Sequence, residues 1–274
     1  MSSWSGNSRN SSRDLFEYTS GRFLCVLLVN LPLMCRISFT GILWFPRFNE
    51  ELRRAERRLQ FDVDALAQTV CRSVGRPVES LASITKLAEG GFNRVLQATF
   101  DDGYEVIARL PYRTTVPECY AVASEAATLD LLRSRGVPVP KVLGYSPDRT
   151  NPVGIEYALL EKIQGIPLSD QWFSMDNKTR IKIMRQIIDL EKRFMSIELP
   201  ANGSLYYRRD LGKSQFTIPL PGQSEVSAAN HIVVGPTAQH EWWYQERALL
   251  HVDRGPCMFF PPDLQKHFPH VYIY

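Results

Sequence analysis

The sequence predicts an α+β protein: an antiparallel sheet plus one helix in a first part, then a mainly helical second part. Three observations carry this. Residues 94–100 and 104–110 read as strands around Asp101-Asp102-Gly103, and Asp-Gly is the favoured pair for a tight hairpin. A helical run over 121–135 follows, stopped by Gly136, and two further strand-like runs come after it. Further on, Ile183, Ile187, Leu190, Phe194 and Ile197 recur at steps of four, three, four and three, which is the core-facing stripe of a helix.

In chain order, residues 49–58 are charged and helix-prone. Residues 62–74 form a second helical run, with Asp62 placed to cap it and Gly75-Arg76-Pro77 to stop it. Gly90-Gly91 precede the hairpin. After Gly136 the chain runs Val-Pro-Val-Pro-Lys-Val-Leu, and residues 151–165 read as a turn, a strand and a glycine-terminated connector. Asp176 caps the long helix, Met184, Ile188 and Met195 widen its stripe, and Pro200 ends it. Residues 199–230 read as loop with short strands. Residues 242–250 read as an aromatic-bearing helix, with Trp242, Trp243 and Tyr244 as packing anchors.

The chemistry concentrates in residues 87–111, LAEGGFNRVLQATFDDGYEVIARLP. Paired glycines let a backbone approach phosphates and turn its N–H groups toward them. A cation ending the return strand reaches the same phosphates, and the planar fork of Arg109 suits their oxygens. Glu125, inside the 121–135 helix, is placed to pair with Arg109, as a helix glutamate pairs with the strand cation of protein kinases. The full GxGxxG is not present. The same residues fit a plainer reading, in which Gly-Gly is a turn and Arg109 a solvated strand end.

Seven strings extend the comparison: DLFEYTSGRFL at 14–24, residues 48–66, 87–111, 123–145 and 151–165, LPANGSLYYRRDL at 199–211 and WWYQERALLHVDRGP at 242–256. With these the chain resembles the fungal altered-inheritance-of-mitochondria phosphotransferase-like proteins of the aminoglycoside phosphotransferase superfamily. The resemblance implies a kinase-like small lobe over 48–164 and a partial large lobe over 165–256. It implies ATP in the cleft between them, with Gly90, Gly91, Phe92 and Asn93 covering the phosphates. Arg109 would hold the phosphates and Glu125 would hold Arg109. Glu161 and Ile163 would bound a hinge whose backbone faces adenine. Arg109 stands where kinases carry lysine, a mild departure in this superfamily.

Such transferases position the acceptor with an Asp in H-x-D-x-x-x-x-N and bind magnesium through that Asn and a later Asp. The tripeptide His251-Val252-Asp253 begins the pattern, but Met258 stands where the Asn should be. No catalytic residue and no metal ligand is therefore assigned, and Mg2+ is expected only with a C-terminal part that this chain does not carry. The expected function is that of a phosphotransferase-like protein with an ATP-binding small lobe, catalytically incomplete as it stands. The alternative is a non-catalytic mitochondrial interaction or structural protein on a degenerate kinase-like fold. The acceptor substrate is unassigned.

Composition bounds the partners. A net charge of +3 over 274 residues gives no push toward nucleic acid. The basic clusters at 53–58 and at Arg208-Arg209 adjoin acidic residues and read as solvated faces. Five scattered cysteines without a CxxC pair point to a reducing compartment. His267 and His270, near Cys257, form no legible metal set. Residues 1–22 read as a disordered tail, and the Ser- and Arg-bearing start is compatible with a mitochondrial presequence. The resemblance favours the mitochondrion over the cytoplasm. Residues 23–47 read as an apolar insertion, with Asn30, Pro32, Arg36 and Gly41 interrupting any membrane span in 23–45. Against the resembling chains residues 25–47, and the divergent tail at 257–274, read as translated intron and shifted frame. A real 23–45 segment would make membrane contact the next expectation.

Overall fold

The computed structural model describes residues 51, 55–223 and 229–257. The apolar 23–45 segment, the N-terminal tail and His267 and His270 lie outside the described residues. Of the charged run at 49–58, residues 51, 55 and 56 are helical.

Helix α1 (Val63–Val74) begins where its sequence signals it. Asp62 Oδ1 accepts from the Ala65 amide at 2.8 Å. At the other end Gly75 adopts φ 69°, and the Arg76 amide reaches back to the Cys71 carbonyl. That left-handed closure is cheap only for glycine.

Five strands follow in one antiparallel sheet: β1 (Leu81–Glu89), β2 (Asn93–Phe100), β3 (Glu105–Pro111), β4 (Val142–Ser146) and β5 (Tyr157–Glu161), in spatial order β1-β2-β3-β5-β4. The β2–β3 turn is the expected Asp-Gly turn, with Gly103 at φ 79°. Strand β1 was not legible in the sequence. Its pairing with β2 slips at Leu81/Ser83 and again at Lys86/Ala88, and such bulges break the period-two pattern that marks a strand.

Alternation divides the sheet faces. Leu96, Ala98 and Phe100 of β2, Val106, Ala108 and Leu110 of β3, and Leu159 of β5 form one core with Leu66, Val70 and Cys71 of α1. The opposite face carries Val95, Gln97 and Thr99 against Arg109, Ile107 and Glu105, all half-buried.

Helix α2 (Tyr120–Ser134) is the hub. Leu129 and Leu132 pack with Val137, Val139 and Leu160; Ala127 and Leu131 pack with Leu205, Leu220 and Val234; Ala123 packs with Tyr206, Leu211 and Val233. Each leucine so buried contributes roughly 2 kcal/mol. Gly136, at φ 75°, closes the helix. Glu125 sits on this hub and points to the half-open sheet face.

The second part contains a short α3 (Leu168–Gln171) and a long α4 (Asn177–Met195), capped by Asp176 Oδ1 on the Thr179 amide at 2.6 Å. The stripe on α4 is narrower than its sequence suggests. Ile183 and Leu190 are buried and Ile187 half-buried, but Phe194 is exposed, as are Met184, Ile188 and Met195. The expected short strands assemble as β6 (Ser204–Tyr207), β7 (Ile218–Pro219) and β8 (Ile232–Gly235), antiparallel in order β6-β8-β7. Gly235 is required there, because a Cβ would stand 2.9 Å from Tyr206 Cδ2.

The helix expected over 242–250 is not formed. His240–Trp242 and Gln245–Leu249 are separate 3-10 turns, and Gln245 at φ 52° breaks the path between them. Of the three aromatics, Trp243 anchors: its Nε1 donates to the Thr237 carbonyl at 2.7 Å and its ring meets Tyr120. Trp242 and Tyr244 are exposed. No helix among the described residues is long and apolar enough to cross a membrane.

Candidate functional site

The bend between β1 and β2 is tied at its base. Glu89 faces Arg94 across the strands, accepting from Nε at 2.8 Å and Nη2 at 2.6 Å, and also accepts from Lys86 Nζ at 3.1 Å. The Arg94 hydrogen bond, then that of Lys86, holds the Glu89 carboxyl below the usual carboxylate range. Above this base the Gly90 amide donates to the Asn93 carbonyl at 2.9 Å. The Phe92 carbonyl accepts from the Tyr112 amide at 2.9 Å and from Thr115 Oγ1.

Neither glycine of the bend is demanded by the chain itself. Both lack a left-handed φ; a Cβ at Gly90 would meet only the Asn93 carbonyl, at 3.8 Å, and one at Gly91 nothing within 4 Å. What the pair supplies is open room at the bend.

Arg109 lies two residues before the end of β3, on the half-open face, and forms an ion pair with Glu125, the two side chains 20% and 26% exposed. With its amide turned so that both its groups are satisfied, Asn93 accepts from Arg109 Nη2 at 3.0 Å and donates to the Phe92 carbonyl at 3.3 Å. Gly90, Gly91, Phe92, Asn93, Arg109 and Glu125 are thus one cluster. From it, half-buried Val95 and Ile107 run as an apolar floor beside Ala158 and Leu160, which are themselves buried.

Glu161 and Ile163 stand at the far end of this floor. Glu161 lies opposite Val106, three residues along β3 from Arg109, a separation of about 10 Å. The Glu161 amide donates to the Lys141 carbonyl at 2.9 Å, and its carboxylate accepts from the Lys141 amide at 3.2 Å. The side chain of Ile163 anchors the connector against the Leu129/Leu132 cluster. Between them Lys162 Nζ donates to Gln97 Oε1 at 2.7 Å, a crossing that the sequence did not signal.

Two further features escaped the sequence. The His240 ring meets Phe92 edge-on at 5.2 Å and Tyr244 at 4.9 Å, a pairing of distant residues that no local pattern marks. Arg209 is exposed, as expected of a solvated face, and Arg208 is half-buried, but both also have partners within the protein. Arg208 donates to the Leu211, Gly212 and Lys213 carbonyls. Arg209 stacks over Tyr207 at 4.3 Å and donates to Tyr145 Oη at 2.9 Å, while Tyr145 donates to Asp210 at 2.6 Å. Burial pushes the Asp210 carboxyl up against the pull of both partners. This cluster joins β4 to the second sheet. Asp253, of the His251-Val252-Asp253 tripeptide, accepts from the Gly255 amide at 2.9 Å and so serves a local turn.

No family model and no solved structure matches the chain. It is 40% identical over 179 residues to a subtelomeric hrmA-associated cluster protein of Aspergillus fumigatus, covering 65% of this chain and 33% of that one. It is 31% identical over 172 residues to altered inheritance of mitochondria protein 9, mitochondrial, of Candida tropicalis, covering 59% and 28%. The same-named protein of Meyerozyma guilliermondii is 31% identical over 166 residues, covering 58% and 27%. The chain spans about a third of the length of the curated relatives it matches.

Proposed function

We propose that this chain grips the triphosphate of ATP within an aminoglycoside-phosphotransferase-like protein of kinase-like fold that works in mitochondria. The observation that carries the reading is the Arg109–Glu125 ion pair, with Asn93 linking the same guanidinium to the glycine bend. A glycine-rich loop, a third-strand cation and its glutamate on the following helix are the parts with which kinases hold phosphates. Half-buried Val95 and Ile107, on the same face as Arg109, would lie beneath the ribose and base. The word mitochondrial in the relatives' names supports the location.

The residues suit the phosphate tail better than they suit magnesium. Glu125 is taken by Arg109, and the described residues include no group of three His, Cys, Asp or Glu that could hold a metal. Carboxylates would act on the transferred phosphate only through a metal ion that they hold, and we assign this chain binding and orientation. The bend's N–H groups would direct the phosphates, Arg109 would compensate their charge, and Glu125 would fix the fork.

The exposed apolar residues of α4, Ile181, Met184, Ile188 and Met195, favour a second reading as an interaction module. Titration with a fluorescent ATP analogue separates the two. Saturable binding that Arg109→Ala weakens supports the first; no binding at millimolar nucleotide leaves the second.

A further inference from the structure

Among the described side chains, His240 carries the one buried nitrogen or oxygen, Nδ1, that has no hydrogen-bond partner. Buried polar groups are ordinarily paired, so an orphan beside a candidate site asks for the ligand that would pair it. This orphan lies at the glycine bend, since the His240 ring meets that of Phe92.

The surroundings separate a fixed part from a movable one. On the His240 side the backbone is pinned. The Trp243 amide donates to the His240 carbonyl at 3.0 Å, and Trp243 Nε1 is held by Thr237. The Arg254 guanidinium covers the Trp243 ring at 4.1 Å and donates to the Arg247 and Leu250 carbonyls. On the bend side the Phe92 carbonyl is anchored by Tyr112 and Thr115, but Phe92 as a whole is 40% exposed. Of the two contacting rings, that of Phe92 is the one whose side chain can turn while both backbones stay anchored.

We propose that His240 is a further phosphate-binding residue, its Nδ1–H donating to a phosphate oxygen of the nucleotide when the Phe92 ring turns aside. This rests on the nucleotide reading above and extends it. The phosphates would then be held from two sides, by Arg109 on β3 and by the imidazole from the segment after the second sheet. Occupancy of the site would couple that segment to the bend. An imidazole with its proton on Nδ1 suits an anionic oxygen, and Tyr244 supports its far contact.

The test uses the whole chain with ATP and, separately, adenosine. His240→Phe keeps the ring contacts and removes the nitrogen; His240→Asn restores a donor near the position of Nδ1. His240→Phe is expected to weaken ATP about tenfold, to leave adenosine unchanged, and to be largely rescued by His240→Asn. ATP affinity equal to wild type overturns the proposal while leaving the Arg109 site standing. Equal weakening of ATP and adenosine overturns it in favour of ring packing. Should the variants misfold, the 15N shift of His240 in the wild-type protein decides: movement with ATP and not adenosine supports it, and no movement overturns it. A wild-type chain that binds neither ligand removes the nucleotide reading and this inference together.

Discussion

Arg109 and Glu125 join the central sheet strand to the hub helix through an ion pair, and Asn93 draws the glycine bend onto the same guanidinium. A strand, a helix and a loop are thereby set by one side chain. Replacing Arg109 by Ala is expected to lower affinity for an ATP analogue at least about tenfold, since hydrogen bonds to charged groups contribute about 1.5–3 kcal/mol. Glu125→Gln should weaken binding less, because the fork keeps its charge and loses its orientation. Fluorescence titration measures both, and equal affinity of wild type and Arg109→Ala contradicts the assigned role.

Gly91 and Gly235 are expected to part company. Gly91→Ala meets nothing within 4 Å and no left-handed φ, so its thermal stability should be unchanged or raised by up to about 1 kcal/mol. Its nucleotide affinity should nevertheless fall, because the methyl group enters the room over the bend. Gly235→Ala would press on Tyr206 and Leu211 at 2.9 and 3.0 Å, and should cost about 1–3 kcal/mol in denaturant unfolding.

Glu156 gives a pH-dependent outcome. Its side chain is 2% exposed and its carboxyl is pushed up by burial, while Arg149, 3.2 Å away, and the Cys119 amide pull it back. A carboxyl raised in the folded state contributes stability that is complete below its unfolded value and is lost as pH rises through the folded one. Arg149→Ala removes the attraction that lowers it, so the folded value climbs and the loss deepens. The penalty should be small near about pH 4 and grow to roughly 3 kcal/mol near about pH 7. Urea melts at both pH values measure it; a penalty independent of pH would contradict the ionic account.

The two sides of α4 should also respond differently. Leu190→Ala removes a side chain that is 7% exposed and should cost about 2–5 kcal/mol. Met184→Lys and Ile188→Lys, at positions 45% exposed, should change stability by less than about 0.5 kcal/mol and reduce self-association in light scattering. A large loss of stability in the lysine variants would show that this face is packed.

Legibility in the sequence followed the range of the interactions. Asp62 and Asp176 cap helices through amides three residues on, Gly75 and Gly136 close them through left-handed turns, and Asp102-Gly103 turn the hairpin. Each is a short-range effect, carried by residues that are neighbours in the chain. Strand β1 was hidden because two register slips erased its alternation. The Arg209 contact with Tyr145 was hidden because the two residues lie 64 positions apart in the chain.

The sequence by itself determined the α+β character, the caps and turns, and the residue types able to hold a phosphate. Tertiary structure alone decided that Arg109 meets both Glu125 and Asn93, that α2 is enclosed by two sheets, and that His240 reaches Phe92. The physical reason is that caps and turns are set by backbone geometry over a few residues. A meeting of distant side chains depends on the buried apolar surface that orients whole strands and helices, and no local pattern encodes that sum.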